Sequence, residues 1–141
     1  MSSNKTIEQI LNKDGVYLST TIGDSMEPML FDRQNTVVIK KIDRLLNKYE
    51  IPLYKRPNGK YVLHRIIKIN KKKKYYVTLG DNRYKSEKVP FDWAIGYLEG
   101  YYVKDTYITT TNMKYVSYVK KLKRHLVFRR MKLMILRLFK L

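Results

Sequence analysis

One serine in the sequence stands in a setting that suits a nucleophile. Ser25 follows Gly-Asp and precedes Met-Glu-Pro in the stretch TIGDSMEPML. A glycine before the serine and a proline after it predict a sharply shaped backbone around one hydroxyl. A serine hydroxyl is a poor nucleophile until a base takes its proton. The stretch therefore predicts either an ordinary turn or the mounting of a catalytic serine.

A histidine that could activate this serine lies before the C-terminal tail. His64 stands in the stretch YVLHRIIKI, and the unperturbed histidine pKa of about 6.5 suits proton transfer near neutral pH. A carboxylate usually orients such a histidine. Asp81 and Glu87 both follow the next predicted strand, and both remain candidates. The second histidine, His125, lies in the basic tail and is expected to be solvated.

Composition limits the remaining chemistry. The chain has 141 residues, which suits one modest domain, and a formal net charge of +18. Such a charge indicates nucleic acid, an anionic membrane surface or an acidic substrate as a partner. The absence of cysteine excludes disulfides, thiolate metal sites and a cysteine nucleophile. With only two histidines, we expect no metal and no cofactor.

Neither a signal peptide nor a membrane span is predicted. The N-terminal sequence MSSNKTIEQILNKDG has no apolar core of signal-peptide length and no small-residue cleavage pattern. No stretch reaches the roughly 18 uninterrupted apolar residues that a membrane span needs. We therefore expect a cytoplasmic protein, peripheral at the inner membrane face if its tail binds lipid.

The elements that would position Ser25 and His64 are mostly strands. Thr6 and Gln9 fit a capping box, which predicts a short N-terminal helix over Thr6–Leu11 that Gly15 ends. β-branched and aromatic runs predict four strands, and the glycines within the last of these indicate bends or bulges. The four strands are Val16–Ile22, Asn35–Ile42, Tyr75–Leu79 and Trp93–Val103.

The clearest local signal is a hairpin. Asn58-Gly59 separates two strand-like runs, Leu53–Arg56 and Lys60–Ile69, and Asn-Gly tolerates positive φ at both positions. Alternation along the second strand puts Val62, His64, Ile66 and Lys68 on one face, and Leu63, Arg65, Ile67 and Ile69 on the other. Lys68 is therefore the one serious competitor to His64 as a base. Arg65 is equally well explained as a surface residue of the strand.

The C-terminal part differs in composition from the rest. No acidic residue follows Asp105, and nine Lys and Arg residues lie between Lys120 and Lys140. Residues 106–141 are predicted to form a basic helical tail, and residues 1–105 the mainly β domain. Val119, Leu122, Leu126 and Leu133 align at 100° per residue, but Arg130 and Arg137 fall in the same stripe, so the amphipathicity is imperfect. An anionic membrane surface is a candidate partner.

Four stretches in one order carry a resemblance to a known family. GDSMEPML, YVLHRIIKI, VTLGDN and AIGYLEG resemble the signal peptidase I and LexA-like serine peptidase superfamily over roughly residues 15–103. The resemblance implies a β-clip sheet domain and a serine endopeptidase with Ser25 as nucleophile. Histidine stands where many members have a lysine base, which resembles the endoplasmic-reticulum type of signal peptidase. The resemblance implies cleavage of a leader or signal-type peptide.

The resemblance also implies roles for other residues. Asp81 lies in the Gly-Asp-Asn box, and Glu87 stands six residues later, where the histidine type usually has an aspartate that orients the histidine. Gly23 replaces a serine that assists the oxyanion hole in many relatives, so the hole must depend more on backbone N–H groups such as that of Ser25. The residues expected to shape this loop and the substrate site are Gly23, Asp24, Met26 and Pro28.

Two other functions remain open at this stage. A LexA-like regulator that cleaves only itself is disfavoured, since fewer than twenty-five residues precede Ser25 and leave no room for a helix-turn-helix. A non-enzymatic module could bind nucleic acid or a membrane through its basic tail. Nucleic acid is the weaker expectation, because the aromatic residues are not interleaved in an RNA-binding pattern. The oligomeric state is not predicted.

Overall fold

The computed structural model describes residues 4–139, and these residues are mainly β. Their elements are α1 (Ile7–Asp14), β1 (Val16–Thr20), β2 (Asn35–Lys41), β3 (Pro52–Lys55), β4 (Tyr61–Leu63), β5 (Arg65–Asn70), β6 (Tyr75–Leu79), β7 (Glu87–Pro90), a 3-10 helix (Phe91–Trp93), β8 (Ala94–Val103), β9 (Thr106–Thr109) and α2 (Met113–Phe139). The chain divides into two compact units after Thr109. The first unit extends past the boundary predicted at residue 105, because β9 pairs with β8.

The predicted N-terminal helix is confirmed with both of its capping residues, and it runs from Ile7 to Asp14, three residues past the predicted Leu11. The Thr6 side chain accepts a hydrogen bond from the Gln9 N–H, the Gln9 side chain bonds the Thr6 N–H in return, and Gly15 ends the helix with φ of 74°. Leu11 is buried. The helix therefore forms for local reasons and is held against the sheet by one apolar side chain, as expected for a short amphipathic helix.

The strands form two antiparallel sheets. The larger has the order β1-β2-β8-β3-β4 with β9 also on β8, and the smaller has the order β5-β6-β7. Register shifts in the pairing of β8 lie next to Gly96 and Gly100, which confirms the bulges predicted from these glycines. The main buried cluster takes residues from both sheets: Leu46, Tyr54, Ile66, Tyr76, Val89 and Ala94. The core therefore lies between the two sheets.

The predicted hairpin is confirmed at its turn and wrong in its second strand. Gly59 adopts φ of 87°, and the Arg56 N–H donates to the Lys60 carbonyl across the turn. The long strand predicted over Lys60–Ile69, however, is interrupted at His64. β4 pairs with β3 in the larger sheet, whereas β5 pairs with β6 in the smaller one. His64 thus stands where the chain passes from one sheet to the other.

The helix predicted in the C-terminal tail is confirmed as α2. The Asn112 side chain accepts a hydrogen bond from the Lys114 N–H, which satisfies one of the free N–H groups of the first turn. Lys140, the last basic residue of the predicted tail, lies outside the described residues. Within residues 4–139 no helix is long and apolar enough to cross a membrane.

Candidate active site

Ser25 lies in the nucleophile loop, which we define as residues 21–34 between β1 and β2. The two ends of this loop are joined by a hydrogen bond, in which the Arg33 N–H donates to the Thr21 carbonyl at 2.7 Å. Gly23 adopts φ of 89°, and its N–H donates to Asp32 Oδ1 at 2.7 Å. A side chain at position 23 would be strained at this φ, since β-carbons disfavour it. The backbone before Ser25 is therefore sharply shaped, as the sequence predicts.

A second loop holds the nucleophile loop in place. We define the Gly-Asp-Asn loop as residues 80–86, between β6 and β7. The Asn82 N–H donates to the Ser25 carbonyl at 2.8 Å, and Asn82 Nδ2 donates to the Asp24 carbonyl at 3.3 Å. The Arg83 guanidinium also bonds the Asp24 carboxylate, and this bond lowers the pKa of Asp24. Ser25 is thus positioned through its backbone by the neighbouring loop.

Gly80 lies next to both Ser25 and His64, in a space too small for a side chain. A β-carbon placed on Gly80 would lie 2.8 Å from the Ser25 carbonyl oxygen and 3.2 Å from His64 Nε2. Only glycine fits here without displacing backbone, because real β-carbons do not approach other atoms so closely. Within residues 4–139, the hydroxyl and N–H of Ser25 form no hydrogen bond. The Ser25 backbone and His64 Nε2 therefore both border the space that a side chain at position 80 would occupy.

The other imidazole nitrogen faces a tyrosine. His64 Nδ1 lies 3.5 Å from the Tyr54 hydroxyl, which donates to Glu87 Oε1 at 2.7 Å and lies 3.1 Å from Thr78 Oγ1. Because the single hydroxyl proton of Tyr54 goes to Glu87, its oxygen can only accept from His64 and Thr78. This arrangement favours the tautomer with a proton on Nδ1. The lone pair of Nε2 then faces the side of Ser25.

The charges around His64 keep the base neutral and Glu87 ionised. Burial lowers the pKa of His64, and the positive charge of Arg56 lowers that pKa further. Burial alone would raise the pKa of Glu87, but hydrogen bonds from Arg56 and Tyr54 outweigh burial and lower it. Arg56 donates to both oxygens of Glu87, at 2.9 Å each. A neutral imidazole next to a fixed carboxylate is the state that general base catalysis needs at neutral pH.

Asp81 has a different partner from Glu87. Both of its oxygens accept from Arg65, at 2.8 and 2.9 Å, and the two side chains are 1% and 0% exposed. Arg65 is therefore a buried residue, and its interpretation as a surface residue of the strand is wrong. Its burial is possible because the guanidinium is paired with Asp81 and also donates to the Tyr49 carbonyl at 2.9 Å. Asp81 thus pairs with a buried arginine, whereas Glu87 reaches His64 through the hydroxyl of Tyr54.

The other residues predicted for the site differ in exposure. Met26 is 5% exposed, and its sulfur lies 3.4 Å from the Asp81 N–H. Pro28 is exposed and follows a cis peptide bond. Met26 therefore packs under the loop, and Pro28 shapes its surface. Lys68, the alternative base, is exposed because a register shift between Ile66 and Lys68 breaks the alternation that put it on the face of His64.

Tyr54 is the main residue that sequence reasoning missed. It pairs with Val62 across the β3–β4 hairpin, and Val62 was assigned to the face of His64. The predicted hairpin therefore already indicates that Tyr54 lies diagonally opposite His64 on the same face of the sheet. Asn82 belongs to the Gly-Asp-Asn box, but the hydrogen bond from its backbone N–H to Ser25 could not be predicted, because backbone bonds do not depend on the side-chain pattern.

Comparison with models of protein families, with curated proteins and with solved structures gives no match. Among residues 4–139, no three His, Cys, Asp or Glu side chains form a group that could hold a metal ion. The geometry of the site brings together one serine, one neutral histidine and a carboxylate that reaches the histidine through the Tyr54 hydroxyl.

We expect Asp81→Ala to lower the free energy of unfolding by about 3–5 kcal/mol, because it leaves the buried Arg65 charge without its carboxylate. Asp24→Ala is the matched control, since Asp24 pairs with Arg83 at the exposed surface. It should leave the free energy of unfolding nearly unchanged. Urea denaturation of both variants measures the difference. Equal losses in the two variants would contradict the structural role of Asp81.

Proposed function

We propose that the chain is a serine endopeptidase in which Ser25 is the nucleophile and His64 the general base. The observation that carries this proposal is the approach of the Ser25 backbone and His64 Nε2 to the same point beside Gly80. The tautomer favoured by Tyr54 and the lowered pKa of His64 both suit a base on the Nε2 side. Glu87 acts on the histidine through Tyr54 as a positioning residue.

We also infer that residues 4–109 have the β-clip fold that the sequence resemblance implies. Two antiparallel sheets with a buried core between them are compatible with such a fold. The order of the boxes supports the inference, since the serine loop, the histidine and the Gly-Asp-Asn loop meet at one place. Three loops or strand junctions distant in sequence would otherwise have no reason to converge on Gly80.

The reaction would begin with attack by Ser25 Oγ on the carbonyl carbon of the scissile peptide bond. The hydroxyl proton passes to His64 Nε2, and the negative charge on the former carbonyl oxygen is stabilised by the Ser25 N–H. The C–N bond then breaks, and Nε2 returns the proton to the leaving amine. Water, activated by the same nitrogen, hydrolyses the acyl-enzyme and regenerates the serine.

The substrate is proposed from the resemblance and from the fold. An extended peptide would add to an exposed sheet edge near Ser25, where main-chain hydrogen bonds supply binding without dependence on sequence. β1 is an edge strand of the larger sheet and leads directly into the nucleophile loop. Small side chains next to the scissile bond would fit the resemblance, so we propose a leader or signal-type peptide as substrate.

A fluorophosphonate probe tests the nucleophile without knowledge of the substrate. We expect one covalent adduct on the wild-type protein, located on Ser25 by mass spectrometry, because only an activated serine reacts. Ser25→Ala should abolish the adduct, whereas Ser86→Ala, a control at an exposed serine of the Gly-Asp-Asn loop, should retain it. His64→Ala should slow labelling by roughly 10⁴-fold. Undiminished labelling of Ser25→Ala would refute the proposed nucleophile.

The pH dependence of labelling tests the base. Only the neutral imidazole accepts a proton, so the rate should rise with pH and level off above the pKa of His64. Because burial and Arg56 lower that pKa from its ordinary value of 6.5, the inflection should fall below 6.5. The measurement is the labelling rate across a pH series, with circular dichroism to verify folding. An inflection above pH 8 would instead indicate a lysine base and contradict the role of His64.

Tyr54→Phe tests the relay from Glu87 to His64. Removal of the hydroxyl leaves His64 Nδ1 without its oxygen partner, and we expect labelling of Ser25 to slow by about tenfold to a hundredfold. Tyr76→Phe is the matched control, since that buried tyrosine loses a hydrogen bond that its hydroxyl accepts from the Leu46 N–H, and within residues 4–139 its hydroxyl forms no hydrogen bond with His64 or Glu87. Both variants should lose similar stability, but only Tyr54→Phe should slow labelling and move its pH inflection. Equal labelling rates would rule out the relay.

A further inference from the structure

The apolar side chains of α2 lie on opposite sides of the helix in its two halves. We define a proximal segment, residues 115–126, and a distal segment, residues 127–139. At about 100° per residue, the apolar stripes of the two segments are centred roughly 180° apart. The proximal stripe consists of Tyr115, Tyr118, Val119, Leu122 and Leu126. The distal stripe consists of Val127, Phe128, Met131, Met134, Ile135, Leu138 and Phe139.

This switch of sides explains why the tail is only weakly amphipathic when taken as one helix. The two stripes cancel over the whole length, although most apolar side chains of each segment lie on one side of it. Tyr115 and Leu122 of the proximal stripe are 6% and 9% exposed. In contrast, every apolar side chain of the distal segment is between 48% and 83% exposed. A contiguous exposed stripe of this kind marks an interaction surface.

Basic residues surround the distal stripe. Lys120, Lys121, Lys123 and Arg124, which we call the basic cluster, lie on the same side of α2 as the distal stripe and just before it. They are exposed. The remaining side of the distal segment carries Arg129, Arg130, Lys132 and Arg137, and no acidic residue follows Asp105. The surface therefore combines exposed apolar side chains with a high density of positive charge.

We propose that the distal segment of α2 binds the surface of an anionic membrane. Its apolar stripe would enter the boundary between headgroups and acyl chains, while the basic cluster contacts anionic headgroups. The distal segment has 13 residues and is about 20 Å long, which is shorter than the roughly 20 residues of a membrane span. The helix therefore lies in the interface and does not cross the bilayer.

Charge favours an anionic membrane over a second copy of the chain or a nucleic acid as the partner of this surface. A second copy packed in parallel on the distal stripe would bring two basic clusters close together, and like charges repel. An antiparallel copy would separate the clusters but would offer neither of them an acidic partner from the tail, since no acidic residue follows Asp105. Nucleic acid would bind the Lys and Arg residues but leave the exposed apolar stripe in water. An anionic bilayer satisfies both features at once. The proposal does not depend on the peptidase activity, and Ser25→Ala should bind membranes as the wild type does.

Vesicle sedimentation of the full chain tests the proposal. We expect binding to phosphatidylcholine vesicles that contain phosphatidylglycerol, weak binding to phosphatidylcholine alone, and release as salt rises. The double variant Phe128→Ser, Ile135→Ser should weaken binding by about tenfold or more, because two apolar side chains no longer enter the interface. The control, Leu133→Ser with Leu136→Ser, changes equally exposed leucines on the other side of the distal segment and should have little effect.

Charge is tested by a second matched pair. Replacement of the basic cluster by glutamine should weaken binding to the anionic vesicles by about tenfold or more. Replacement of Lys71–Lys74, an exposed run of four lysines in the turn between β5 and β6, removes the same charge elsewhere and should have little effect. Equal binding by both members of either pair overturns the proposal. A different pattern would also overturn it: the wild type is a dimer in the absence of vesicles, and Phe128→Ser, Ile135→Ser dissociates this dimer but leaves vesicle binding unchanged.

Discussion

Arg65 and Asp81 form the buried ion pair on which the arrangement of the candidate site depends. The pair joins β5 to the Gly-Asp-Asn loop, and the two side chains are 0% and 1% exposed. Arg65 also donates to the Tyr49 carbonyl at 2.9 Å and lies 3.3 Å from the Met29 sulfur. A buried charge without partners is strongly destabilising. The Gly-Asp-Asn loop, which carries Asp81, and the nucleophile loop, which carries Met29, are therefore held where they contact Arg65.

The ion pair also fixes residues of the candidate site, because Arg65 and Asp81 are adjacent to those residues in the sequence. Arg65 directly follows His64, and Asp81 directly follows Gly80 and precedes Asn82, whose N–H bonds the Ser25 carbonyl. Fixing one ion pair therefore fixes the backbone of the base, of the glycine spacer and of the donor to the nucleophile loop. Because the interior is closely packed, a shift of any one of these groups would be transmitted to the others.

The sequence was informative wherever the determining interaction is local. The capping box of α1 and the turn at Gly59 depend on neighbours within a few residues, and each was predicted. The bulges next to Gly96 and Gly100 involve distant strands, but the glycines themselves mark their positions in the sequence. The break at His64 was not predicted, because alternation continues on both sides of it and only the pairing of β4 and β5 with different sheets reveals it. β7 and β9 were also missed, since each is four residues long and β9 contains no turn signal of its own. The burial of Arg65 depends on a carboxylate sixteen positions away, and no pattern in the sequence around Arg65 indicates it.

The same limit explains why the sequence does not decide between Asp81 and Glu87 as the partner of His64, whereas the structure gives the two carboxylates different partners. Asp81 and Glu87 have the same chemistry and both follow β6, so their positions in the chain cannot separate them. Their partners do: Arg65 takes both oxygens of Asp81, whereas Glu87 accepts from Tyr54 and Arg56 at a partly exposed position. A carboxylate whose charge stabilises a buried arginine has little capacity left for an imidazole. Glu87 pairs with Arg56 and contacts the Tyr54 hydroxyl, which lies 3.5 Å from His64 Nδ1, so the structure places one carboxylate beside a buried arginine and the other within one hydroxyl of the imidazole.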